Sequence, residues 1–99
     1  MTPRFQVPQA AIEALCQRHG IKRLSLFGSV LRPDFRPDSD IDVLVEFLPG
    51  HRIGFFGVAA IQRELSELTD RQVDVRTPND LSRYFREDVV RTALVQYAA

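Results

Sequence analysis

Between Ile41 and Phe47 the chain alternates. Ile41, Val43, Val45 and Phe47 fall on one side, and Asp42, Leu44 and Glu46 fall on the other with Asp40 just before them. Side chains two apart on a strand share a face, so this is the clearest strand in the sequence, and Pro49-Gly50 ends it. Two further stretches show strand character. Lys22 to Phe27 sets Leu24 and Leu26 on one face and Phe27 on the other, and Gln72 to Arg76 turns Val73 and Val75 inward with Asp74 opposite. Elsewhere the period is helical. Pro8 suits the start of a helix whose stripe is Ile12, Leu15 and Cys16; Gly20 ends it, with Arg18 and His19 in the last turn. From about Gly54 to Thr69, Phe55, Val58, Ile61, Leu65 and Leu68 share a face, and Arg63, Glu64 and Glu67 lie away from it. Ser29 to Leu31 suits a brief helical turn, which Pro33 and Pro37 close off. Pro78-Asn79-Asp80 opens a last helical region, where Phe85, Val89, Ala93 and Tyr97 form a row widened by Val90 and Leu94.

The order α-β-α-β-α-β-α predicts an α/β (α+β) fold, a small mixed sheet of about three strands with helices packed on it. The link between the first two strands is about a dozen residues with two prolines, short for a parallel crossover, so that pair is expected to be antiparallel. With 99 residues, one domain spanning 1–99 is expected. The chain is 44% hydrophobic and 26% charged with zero formal net charge, which argues against strong direct nucleic-acid binding. No apolar run approaches a membrane span and no signal peptide is visible, so a cytoplasmic protein is expected. The single cysteine, Cys16, excludes an internal disulfide and reads as a small buried hydrophobe. His19 reads as a solvated residue at a helix end rather than a ligand.

Candidate chemistry gathers around the best strand. Asp40 and Asp42 project from one face with Cα atoms roughly 6–7 Å apart. Two carboxylates so placed repel each other, and a divalent cation relieves that penalty. Asp74 adds a third acid if its strand lies beside theirs, and three oxygen donors around one point suit Mg²⁺. For Asp-x-Asp alone, two acids on the solvent side of an amphipathic strand are the simpler account. Gly28-Ser29 changes the weighing. Glycine lets a backbone approach a phosphate closely, and a serine opening a helical turn offers N–H groups and a hydroxyl to an anion. Taken in isolation, Ser29 is equally well explained as an N-cap. Neither the Walker A pattern nor the dinucleotide fingerprint is present.

The whole set is more specific: a strand ending in Gly-Ser, ten intervening residues, Asp-Ile-Asp in an apolar strand, and Val-Asp-Val some way on. It resembles the nucleotidyltransferase superfamily that includes DNA polymerase β, and more closely the minimal nucleotidyltransferases of prokaryotes. "GSVLRPDFRPDSDIDVLVEF" carries the resemblance; "RQVDVRTPNDL" and "FREDVVRTALVQYA" are similar to the family's third-acid strand and terminal helix. The similarity runs from about Arg23 to Tyr97. Val30, where many members carry a basic or polar residue, and Pro33-Asp34, in place of a commoner small or glycine-containing turn, depart from the pattern and leave the carboxylates intact.

The resemblance implies a polymerase β palm-like fold and a two-metal Mg²⁺ site with ATP as substrate. Asp40 and Asp42 would hold the metals, and Asp74 would ligate the second metal and help deprotonate the acceptor. Gly28 and Ser29 would hold the terminal phosphates. Arg32 would add charge near them, with a salt bridge to Asp34 or Asp38 as an equal alternative; Asp38 and Ser39 would order the turn. It also implies an antitoxin that transfers AMP to a tyrosine of a HEPN-domain toxin, in a hetero-oligomer with it. Two other readings compete: an antitoxin that acts by binding alone, and a small-molecule nucleotidyltransferase, which would need an added helical domain.

Overall fold

The computed structural model describes residues 8–31, 40–50, 55–84 and 86–99. Helix α1 (Gln9–His19) starts after Pro8 and ends at Gly20. Gly20 takes the left-handed conformation (φ 66°) and its N–H donates to the Cys16 carbonyl, a closure that glycine makes without strain. Strand β1 (Ile21–Phe27) follows directly and runs into a 3₁₀ turn, Gly28–Leu31. Then come β2 (Ile41–Phe47), α2 (Phe55–Thr69), β3 (Val73–Arg76), a 3₁₀ turn at Pro78–Asp80, α3 (Arg86–Thr92) and β4 (Leu94–Ala98).

The four strands lie in the order β3-β2-β1-β4. β1 pairs antiparallel with β2, as the short link requires, and β2 pairs parallel with β3 across the α2 crossover. The sheet is therefore mixed. One face carries Leu24 and Leu26 from β1, Ile41, Val43 and Val45 from β2, and Val73 and Val75 from β3. Ile12, Leu15 and Cys16 of α1 and Ile61 and Leu65 of α2 close over that face to form the core. Burial of each large aliphatic side chain stabilises the fold by about 1.5–3 kcal/mol. The same burial pushes the Cys16 thiol up to about 12, so it stays protonated and acts as a core residue. Among the described residues no helix is long and apolar enough to cross a membrane.

The C-terminal region departs from the expected helix. α3 stops at Thr92, and Leu94–Ala98 forms a fourth strand antiparallel to β1. The row Ala93, Leu94 and Tyr97 satisfies a helical period, but β1 is a buried strand whose second edge would otherwise keep its backbone groups unpaired. β4 satisfies them, and Leu94 and Tyr97 pack against the core from the strand. The register slips between Leu24 and Ser25, and Gln9 Nε2 of α1 donates to the Gln96 carbonyl at 2.9 Å. Pro78–Asp80 is likewise a separate turn, not the start of α3. Asp80 Oδ2 there accepts from the Thr77 N–H and the Thr77 hydroxyl, each at 3.0 Å.

Two smaller differences concern the helices. His19 is not merely solvated: it pairs with Glu64 of α2, which also accepts from Arg18 Nη2 at 3.1 Å, so α1 and α2 are tied on their outer side. Leu68, expected to share the core face of α2, is 40% exposed because it lies in the helix's last turn.

Leu15 has no solvent exposure. Leu15→Ala should therefore lose about 2–5 kcal/mol in denaturant unfolding. Arg91→Ala removes only the exposed pair with Asp88 and should stay within about 0.5 kcal/mol.

Candidate active site

The parallel register of β2 and β3 sets Asp42 directly beside Asp74. Both sit at positions between inward-facing aliphatics, so both project from the sheet face opposite α1 and α2. On the other side of Asp42, the antiparallel register brings Phe27, the last residue of β1, alongside it. Gly28 comes next and adopts φ 76°, a conformation open to glycine and costly for other residues. A Cβ at Gly28 would lie 2.5 Å from Asp42 Oδ2, so the carboxylate occupies the space that any other residue would fill with its side chain. Asp40 is exposed just before β2. One row thus runs across three strands, from Phe27-Gly28 through Asp42 to Asp74.

The charge on Asp42 is disfavoured. Burial raises its pKa first, and Asp74 raises it further; Arg76 opposes the shift, and Asp40 adds to it. The part of this shift that comes from Asp74 and Asp40 is like-charge repulsion, which a bound cation would relieve. Among the described residues, no three His, Cys, Asp or Glu side chains converge tightly enough to enclose a metal ion by themselves. Mg²⁺ does not need such a cage: it binds through one or two carboxylates and fills its octahedron with waters and substrate phosphates. The all-oxygen donor set of Asp40, Asp42 and Asp74 fits that mode.

The structure brings together Asp42, Asp74 and Gly28, with Asp40 close enough to act on Asp42. It places the backbone of Ser29 in the 3₁₀ turn leaving β1, whose leading N–H groups have no partner within the turn. The Ser29 side chain, Arg32, Asp34, Asp38 and Ser39 lie outside the described residues. The sequence reading missed Arg76, the cation on the same face two residues beyond Asp74. Its signal was the strict alternation Val73-Asp74-Val75-Arg76, which puts every second residue on the acid side.

The sequence profile of the family described as Nucleotidyltransferase domain matches residues 9–96. The chain belongs to that family. A protein of Methanocaldococcus jannaschii named as a candidate protein adenylyltransferase is 35% identical over 77 residues, covering 78% of this chain and 81% of the relative. The solved structure of a candidate minimal nucleotidyltransferase is 37% identical, with a TM-score of 0.72 over 87% of this chain and 86% of that one. A toxin–antitoxin complex solved with AMP-PNP shares the fold at 19% identity, with a TM-score of 0.74 over 94% of this chain and 75% of that one. The resemblance drawn from Gly28-Ser29 and the three acids is therefore borne out. The nucleotidyltransferase carries its acids on the sheet face that α1 and α2 leave uncovered.

Gly28→Ala tests the contact between glycine and carboxylate. The left-handed backbone should cost about 1–2 kcal/mol in a melt. The added methyl group must displace the Asp42 carboxylate, so nucleotidyl transfer should fall by about 100-fold, far beyond the stability loss. A Gly28→Ala protein with full activity would show that Asp42 does not work from the position seen.

Proposed function

We propose that this nucleotidyltransferase moves AMP from ATP onto a tyrosine hydroxyl of a HEPN-domain toxin and so acts as its antitoxin in the cytoplasm. The observation that carries this reading is the Asp42–Asp74 pair, held on the sheet face opposite α1 and α2 with Gly28 flush against Asp42. Its relative at 35% identity is named for protein adenylyl transfer. A structure that shares the fold at 18% identity, with a TM-score of 0.64 over 92% of this chain and 70% of that one, is a tri-AMPylated Shewanella oneidensis HEPN toxin in complex with its MNT antitoxin.

In this reading the roles follow from the row. Asp40, Asp42 and Asp74 would hold Mg²⁺ together with the phosphates of ATP. Bound there, Mg²⁺ would supply positive charge that eases phosphoryl displacement. Gly28 lets the backbone approach the terminal phosphates, and the N–H groups at the head of the 3₁₀ turn face them. Asp74, on the edge strand β3, meets the acceptor and takes the proton of its hydroxyl. That oxygen forms a bond to the α-phosphorus, the bond from the α-phosphorus to the bridging oxygen of the β-phosphate breaks, and pyrophosphate leaves with the electron pair. The family's two-metal arrangement, with Ser29 and Arg32 at the phosphates, completes the proposal. So does a hetero-oligomer in which the toxin docks beside Asp74 on the acid face.

The purified protein incubated with ATP, Mg²⁺ and the HEPN toxin should add one or more AMP masses to the toxin, read by intact-mass spectrometry. Asp42→Asn and Asp74→Asn should each lower that transfer by more than about 100-fold, the upper range for losing a group that only supports a metal ligand. A toxin neutralised equally well by Asp42→Asn, with no change in its mass, would replace transfer with inhibition by binding alone.

A further inference from the structure

On the acid face of the sheet, charges come in two arrangements. In the row nearest the end of β2, Arg23 and Glu46 are register partners and neutralise one another at 3.4 Å. In the row at the start of β2, Asp42 and Asp74 are register partners and neutralise nothing. Between these rows lie Leu44 and, beside it on β3, Arg76. Arg76 is exposed and forms no salt bridge among the described residues; its guanidinium makes one long contact, 3.5 Å, to the carbonyl of Val75. Arg18, Arg23 and Arg91 each have a carboxylate partner. Arg76 is therefore a cation on the site face, two residues beyond Asp74, that no carboxylate pairs among the described residues.

We propose that Arg76 is a substrate contact: its guanidinium binds a non-bridging phosphate oxygen of the nucleotide at the Asp74 end of the row, opposite the end held by Gly28. The inference rests on the nucleotide site proposed above and assigns it a residue that the motif of glycine-serine and three acids does not contain. The geometry commits the direction. Gly28 lies on the β1 side of Asp42, whereas Asp74 and Arg76 lie on the β3 side. A phosphate chain crossing the row from Gly28 toward Asp74 reaches Arg76 with the phosphate nearest the reacting hydroxyl. A guanidinium offers that group two parallel N–H donors in a plane, a match an ammonium cannot make. The alternation of β3 buries Val73 and Val75 and turns Arg76 to the same side of the sheet as Asp74. The competing account makes Arg76 only a counterion for Asp42 and Asp74, with no part in binding.

The test measures Mg²⁺–AMP-PNP affinity by titration calorimetry for the wild type, Arg76→Ala, Arg76→Gln and Arg76→Lys, with a melting curve of each without metal. Loss of charge-assisted hydrogen bonds should weaken binding by about tenfold or more in Arg76→Ala and Arg76→Gln. Arg76→Lys should recover part of it, and all three should melt close to the wild type. Arg76→Ala or Arg76→Gln that binds AMP-PNP as tightly as the wild type would overturn the proposal, as would a wild type that binds no nucleotide. If binding depends on Arg76 but no AMP reaches the toxin, the contact stands and the proposed acceptor falls.

Discussion

The site depends on one packing constraint: the Asp42 carboxylate lies against the Cα of Gly28 and beside Asp74. Two registers and one backbone conformation have to agree for this to happen. The antiparallel pairing brings the end of β1 to Asp42, the parallel pairing brings Asp74 to it from the other side, and the left-handed glycine turns the chain away without a side chain in between. A slip of one residue in either ladder would send the acids into the core and the aliphatics into water. The aliphatic alternation that buries Val43, Val45, Val73 and Val75 under α1 and α2 is thus the same feature that aims the acids outward. In this protein the core and the candidate active site are the two faces of one pattern.

That pattern also explains the division of labour across the sheet. α1 and α2 cover one face and tie themselves together through Glu64 with Arg18 and His19, away from the chemistry. β4 closes the second edge of β1, which leaves β3, the strand carrying Asp74 and Arg76, as the edge on the site's side. An acid on an edge strand can meet an acceptor that arrives from outside the chain. A folded protein with a projecting hydroxyl suits such an approach better than a small molecule, which needs enclosing walls.

Much of this was legible in the sequence because period-2 alternation is a local property. The bounds of β2, the outward direction of Asp40, Asp42 and Asp74, the antiparallel first pair and the role of Cys16 all followed from residues a few positions apart. β4 was not legible, because Ala93, Leu94 and Tyr97 fit a helix as well as a strand and the deciding factor is the unpaired edge of β1, more than sixty residues away in the chain. The pairing of His19 with Glu64 is hidden for the same reason: two helix faces meet only once the sheet beneath them has formed. Arg76 lay within reach of the same alternation that exposed Asp74, but its meaning depends on the acids beside it, which only the β2–β3 register reveals.

If the acids are held together at a cost in the metal-free chain, removing one charge must show it in the pH dependence of stability. The folded pKa of Asp42 is raised above its unfolded value, so the folded state binds more protons over that interval. Stability contributed by this group is then full below the unfolded pKa and falls as pH rises through the folded one. Denaturant unfolding of wild type and Asp42→Asn, from the ordinary carboxylate range up to pH 7 without metal, is the direct measurement. The account predicts that Asp42→Asn equals or exceeds the wild type at pH 7 and that this advantage shrinks toward acid pH. It also predicts that Mg²⁺ with AMP-PNP stabilises the wild type alone. An Asp42→Asn protein markedly less stable than the wild type at pH 7 would contradict it, because the carboxylate would then be holding the fold together rather than waiting for a cation.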